Sequence, residues 1–169
     1  MEINFVAVDV ETTGLSCTQN ELIEISAIKY IDLKKEEIFS TLVKPKIKIP
    51  SYITKITGIN NQMVKNSPEI ESVMPKLIKF IGDFPIVAHN ARFDYGFLQS
   101  NSKKAFSKNK LIDTVVISRI LAPNLENHKL GTVAKFIGIT EEGFHRAEFD
   151  CECCAQIYIK YLKSIKKGN

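Results

Sequence analysis

The sequence lacks any apolar run near the roughly 18 residues that a membrane span requires. Its first residues, Met1-Glu2-Ile3-Asn4, carry no basic stretch and lead directly into an apolar segment, so a signal peptide is not expected. Cysteines are few and badly spaced for a disulfide framework. Cys151, Cys153 and Cys154 crowd together while Cys17 stands far away. A structural zinc site would need a second spaced pair, which is missing. These absences set the expectation of a cytoplasmic chain with reduced thiols and no contact with a membrane. Repeats, low-complexity tracts and linkers are missing too, and 169 residues fit one domain, so residues 1–169 are expected to form a single unit.

Lysine is plentiful. The formal net charge is +4, from 23 basic and 19 acidic residues. If four of the acids gather around cations, the remaining surface is more positive still. Lysines cluster at Lys44, Lys46 and Lys48, at Lys103, Lys104, Lys108 and Lys110, and at Lys160, Lys163, Lys166 and Lys167. Such a surface suits a polyanion, although any one cluster also reads as a solvated face.

The apolar pattern predicts strands over Ile3–Asp9, Glu21–Ile31 and Phe39–Val43, arranged as an antiparallel meander. Pro45 and Pro50 frame the loop that follows. Ser67-Pro68-Glu69 opens a helix, with Pro75 a possible kink point. Pro85–Ala88 and Leu111–Val116 read as short strands. Helices are expected near Arg92–Ser100, Ile117–Leu121, Leu130–Ile137 and Ala147–Lys166. Strands first, then alternating strands and helices, imply an α/β domain with a mixed five-stranded sheet.

Acids then occur where apolar residues are expected. Asp9 and Glu11 are two apart at the end of the first strand, so in extended chain they share a face. Either both lie in water at a frayed strand end, or they repel each other until a cation neutralises them. Asp94 continues the inward stripe of Phe97 and Leu98, one turn before them. Asp150 does the same ahead of Cys154 and Tyr158. Both also occupy a first helical turn, where the dipole favours a carboxylate. His145 lies five residues before Asp150, and imidazole suits proton transfer near neutrality.

Asp9-Val10-Glu11-Thr12-Thr13-Gly14-Leu15, His89-Asn90-Ala91-Arg92-Phe93-Asp94 and His145-Arg146-Ala147-Glu148-Phe149-Asp150 stand in order along the chain. Together they resemble the three motifs of the DEDD exonucleases, in the subfamily whose fifth residue is histidine. The closest likeness is to the exonuclease domains of bacterial replicative polymerases, the proofreading epsilon subunit of DNA polymerase III among them. The resemblance implies a ribonuclease-H-like fold and removal of nucleotides one at a time from a 3′ end. It also implies two Mg²⁺ or Mn²⁺ ions held by Asp9, Glu11, Asp94 and Asp150, with His145 as the general base. Thr12, Thr13 and Gly14 would approach the terminal nucleotide through backbone N–H groups. Leu15 and Phe93 would wedge or stack against unpaired bases, and Asn90 would bond the sugar or phosphate.

Ile56-Thr57-Gly58-Ile59 resembles the substrate-side segment after the third strand, with Thr57 standing where epsilon-like members often have histidine. Asp113-Thr114 resembles the family's late strand-to-helix junction. Little chain follows the last helix, so the tail that holds a polymerase in epsilon-like proteins is not expected here. A single-stranded or frayed DNA 3′ end is the expected substrate, with a polymerase as a further partner. RNA 3′-end trimming is the alternative within the superfamily. A non-catalytic nucleic-acid-binding module is the alternative outside it.

Overall fold

A computed structural model describes residues 2–139 and 145–167. Its centre is a five-stranded sheet in the order β3-β2-β1-β4-β5. The strands are β1 (Phe5–Thr12), β2 (Leu22–Ile31), β3 (Lys34–Leu42), β4 (Ile86–Ala88) and β5 (Leu111–Asp113). β1 pairs antiparallel with β2, and β2 with β3; β4 runs parallel to both β1 and β5. The expected mixed α/β sheet is therefore present.

The two-residue period of β1 sorts its side chains into two cores. Val6, Val8 and Val10 meet Val73, Leu77 and Ile81 of α3 (Ile70–Ile81) and Phe97 and Leu98 of α4 (Arg92–Asn101). Phe5 and Ala7 face the opposite layer, formed by α5 (Thr114–Leu121), α6 (Leu130–Phe136) and α7 (Ala147–Lys167). Phe5 stacks on Tyr30 at 4.9 Å and meets Tyr158 edge-on at 5.0 Å. The Cys151 thiol donates to the Ala7 carbonyl at 2.9 Å, which ties α7 to β1 beside the acids. None of Cys17, Cys151, Cys153 and Cys154 forms a disulfide. Asp9 and Glu11 continue the Phe5–Ala7 row and so fall on the α7 side.

β1 runs on past Asp9 to Thr12, so both acids lie within the strand and not at its frayed end. β3 begins five residues before the expected Phe39, because cross-strand pairing with β2 carries its exposed charged half. β5 stops at Asp113 and not at Val116. The Asp113 carboxylate accepts from Val115 N–H at 2.8 Å and thereby starts α5. Two short helices, α1 (Ser51–Thr57) and α2 (Asn61–Val64), fill the stretch after Pro50 that periodicity had not marked as helical. Gly58, at φ 74°, closes α1 in a left-handed conformation that glycine adopts without strain. Pro75 is accommodated inside α3.

Asp113 also accepts from the N–H groups of Asn90 (3.1 Å) and Ala91 (3.2 Å), which fixes the turn between β4 and α4. Three N–H groups on one carboxylate make it a stability determinant. Asp113→Ala is expected to lower the unfolding free energy by roughly 2 kcal/mol, in the range of lost charge-assisted bonds and caps. Urea denaturation of the two chains measures this directly, and an unchanged midpoint would contradict it.

Candidate active site

Three elements bring the acids together at the carboxyl end of β1. β4 pairs with β1 only through Val6 and Ala7, so the edge of β1 beyond them is left unpaired by strand. Asp94, on the first turn of α4, fills that edge. Its Oδ1 accepts the Val10 N–H at 3.1 Å, and its side chain is buried. Asp150 approaches from the α7 face and is also buried. Its Oδ2 accepts the His145 backbone N–H at 3.0 Å. His145 itself is exposed and adopts φ 67°, a left-handed conformation that costs a non-glycine residue energy and is common at functional sites. Carboxylate oxygens of Glu11 and Asp150 and a ring nitrogen of His145 lie within 4.8 Å of one another.

This crowding perturbs every acid in the group. Burial, followed by the charges of Asp94, Asp150, Glu11 and Glu24, holds the Asp9 carboxyl well above the usual carboxylate range. Burial pushes Asp94 up to about 8, against the bonds it accepts from backbone N–H groups. Glu11 rises to about 7 through burial, Asp150 and Glu24, with Arg146 opposing. Asp150 rises to about 6, again chiefly through burial, with His145 opposing. Acids in such surroundings must take up either protons or cations.

The donor set fits divalent cations. Carboxylate oxygens are hard ligands that suit Mg²⁺ or Mn²⁺. Four of them carry the charge that two such ions neutralise. One oxygen, Asp150 Oδ1, is buried and has no hydrogen-bond partner among the described residues. A buried carboxylate oxygen left this way is costly unless a cation completes it.

The residues expected around the substrate separate into two groups. Leu15 is 87% exposed, and Asn90 lies exposed at φ 58°, just before the helix that carries Asp94. Phe93 is half-buried and leans on Phe97 at 5.2 Å. Gly14 leaves no room for a side chain, since a Cβ there would sit 2.7 Å from the Asn20 side chain. Thr12, Thr13 and Thr57 are buried. Thr12 spends its hydroxyl on the Gly14 carbonyl at 2.6 Å. The Thr13 N–H already donates to the Glu21 carbonyl at 2.8 Å, so it is not open to a nucleotide. The Thr57 hydroxyl donates to the Ile53 carbonyl at 3.0 Å and accepts from the Ile59 N–H at 3.1 Å, so both bonds are made within the end of α1.

Sequence reasoning passed over Glu24. It stands opposite Glu11 on β2, is buried, and is bound by Arg146 and by the Ala147 N–H. A single acid within the apolar run Leu22-Ile23-Glu24-Ile25 was the available signal.

Residues 6–158 match the family model RNase_T, described as an exonuclease. The PolC-type DNA polymerase III of Caldanaerobacter subterraneus subsp. tengcongensis is 43% identical over 169 residues, covering 99% of this chain and 12% of that protein. The corresponding polymerase of Clostridium perfringens is 42% identical over 165 residues, covering 96% of this chain and 11% of that protein. The chain thus spans about one-eighth of the length of these curated relatives, which extend far beyond the matched segment. Among solved structures, exonuclease X in complex with 5′ overhanging duplex DNA superposes with a TM-score of 0.77 at 28% identity, over 95% of this chain and 92% of that one. Exonuclease I of E. coli, solved with a dT13 oligonucleotide, shares the fold with a TM-score of 0.78 at 19% identity, over 95% of this chain and 41% of that one.

The raised carboxyls set a direction for stability. Glu11, Asp94 and Asp150 keep their protons to higher pH when folded than when unfolded, so the folded chain binds more protons between the ordinary carboxylate range and about pH 8. Their contribution is complete below the unfolded values and is lost as pH rises through about 6, 7 and 8. The metal-free chain should therefore melt at progressively lower temperature from pH 5 to pH 8. Saturating Mn²⁺ should remove most of that fall, and Asp94→Asn should shrink it. Calorimetric melting across the range, with and without Mn²⁺, checks the sign; a metal-free Tm rising over this window would contradict it.

Proposed function

The chain belongs to the exonuclease family, and on that premise we propose that it releases nucleoside monophosphates from the 3′ end of single-stranded or frayed DNA, as a proofreading or repair nuclease. The observation that carries this reading is the convergence of four strained carboxylates with an imidazole beside two of them. Asp9, Glu11, Asp94 and Asp150 would hold two divalent ions, Mg²⁺ or Mn²⁺. When bound, these supply an acidified water and charge neutralisation at the leaving oxygen.

The chain's own residues do the remainder. The ring nitrogen of His145 that faces Glu11 and Asp150 accepts the proton of the attacking water. Exposed Leu15 costs free energy in water that stacking against an unpaired base returns, which favours a frayed end over paired duplex. Phe93 and Asn90 lie on the turn leading to Asp94 and would border the terminal nucleotide. The DNA-bound neighbours and the polymerase relatives support DNA over RNA and a replication setting, with a polymerase as the partner. No described helix is long and apolar enough to cross a membrane. Cys151, Cys153 and Cys154 of α7 are buried and form no disulfide, which supports a reducing, cytoplasmic setting.

The test uses matched DNA and RNA oligonucleotides labelled at either end, with Mg²⁺, Mn²⁺ or chelator. Stepwise shortening of a 5′-labelled DNA strand is expected, dependent on metal and abolished in Asp9→Ala. A strong preference for RNA would change the substrate, and binding without release under either metal would overturn the enzyme. His145→Ala should reduce kcat by about 10²- to 10⁴-fold, as for loss of a general base. Mn²⁺ affinity measured by titration calorimetry should be kept in that variant. A large loss of affinity would instead make His145 a ligand.

A further inference from the structure

Glu24 is a fifth acid beside the catalytic group, yet it is built differently from the other four. Arg146 binds its carboxylate with a fork: Nε reaches both oxygens at 3.3 Å, and Nη2 reaches Oε1 at 2.8 Å. The Ala147 N–H donates to Oε2 at 3.1 Å. Both oxygens are thus occupied by protein donors, whereas Asp150 Oδ1 is left without one. Glu24 is therefore satisfied without a cation. Its side chain is 4% exposed, against 53% for Arg146.

The partners of Glu24 are the two residues that follow His145. His145 donates its own N–H to Asp150, and its ring is exposed. Its backbone is left-handed at φ 67°, a conformation that costs any residue with a Cβ some energy. Among the described residues that junction is held by the bond to the Asp150 carboxylate on one side, by the fork to β2 on the other, and by the Asp150 N–H donating to the Arg146 carbonyl at 3.1 Å. The fork spans 122 positions of sequence, so it fastens the start of α7 to the strand that pairs with Glu11. A guanidinium suits the task, because its planar donors fix direction as well as charge, which an ammonium does not.

We propose that Glu24 and Arg146 are positioning residues for His145, a clamp anchored on the buried Glu24 carboxylate that sets the imidazole in register with Glu11 and Asp150. This rests on the reading of His145 as the general base. Glu24 touches neither substrate nor metal in this scheme and acts through the backbone at 145–147.

The test compares Glu24→Gln, Arg146→Gln and the double variant in the full chain. The double variant removes both charges, so no unpaired charge is left buried and folding is not put at risk by that cost. On single-stranded DNA in saturating Mn²⁺, each single variant should lose about 10- to 100-fold in kcat, the scale of a misplaced catalytic group. KM should hold in each, and Mn²⁺ affinity should hold in the double variant, where no net charge is lost. The double variant should be no slower than the slower single one, because the pair acts as a unit. A readout independent of turnover is amide exchange at His145 in the metal-free chain. Its N–H should exchange faster in Glu24→Gln, although Glu24 does not bond it.

Wild-type kcat in the double variant would overturn the clamp. A rise in KM with kcat kept would also overturn it, and would make Arg146 a phosphate contact. The underlying reading fails separately, if the wild-type chain releases no nucleotide or His145→Ala is fully active.

Discussion

Carboxylates crowd the end of β1 at a depth where water screens them poorly, and the rest of the site is arranged around their mutual repulsion. Asp9 and Glu11 share one face of a strand because the strand is regular there. Asp94 and Asp150 arrive from opposite layers of the sheet. Each is held by a backbone N–H, from Val10 or from His145, so neither can swing away into solvent. Such a group stores free energy that protons can release at low pH and divalent cations at neutral pH. Burial thus favours cation binding, and under the proposed function a diester with its negative charge would be accepted only after the acids have been neutralised.

The scaffold that enforces this closeness is itself largely electrostatic and runs outward from the site. Asp113 gathers the N–H groups of Asn90, Ala91 and Val115 and thereby sets where α4 begins. Cys151 on Ala7 presses α7 against the central strand one residue beyond Asp150. Glu24 with Arg146 fixes the other side of the same helix start. None of the three lies among the four converging acids, yet each decides where one of them stands. Packing below them, with Phe5 in contact with both Tyr30 and Tyr158, gives a rigid floor on which small errors of position are not absorbed.

Much of this was legible in the sequence, for a physical reason. An acid in an apolar stripe is a local contradiction, and Asp9, Asp94 and Asp150 each advertise one. The sheet was legible because β1 and β4 are continuous apolar runs. Less visible were elements whose stability is not local. The first half of β3 is Lys34-Lys35-Glu36-Glu37, which forms a strand through pairing with β2 and a Lys29–Glu37 contact across it. α1 and α2 are too short to show a helical period, and α2 depends on the Asn60 side chain accepting from Gln62 and Met63. The inward turn of Thr57 follows from that same segment. Glu24 escaped notice because one acid in a strand reads as an outward-facing residue until the register sets it opposite Glu11.

The central claim is that the four carboxylates are a binding site for two divalent ions and not a cluster tolerated for other reasons. Crystals grown with Mn²⁺ and a nucleoside monophosphate, measured for anomalous scattering at the manganese edge, address it most directly. Two anomalous peaks are predicted among Asp9, Glu11, Asp94 and Asp150, spaced at roughly the 3.5–4 Å of two-metal sites, with one of them on Asp150 Oδ1. A map with no peak there, or with manganese only on other acids of the surface, would contradict the account.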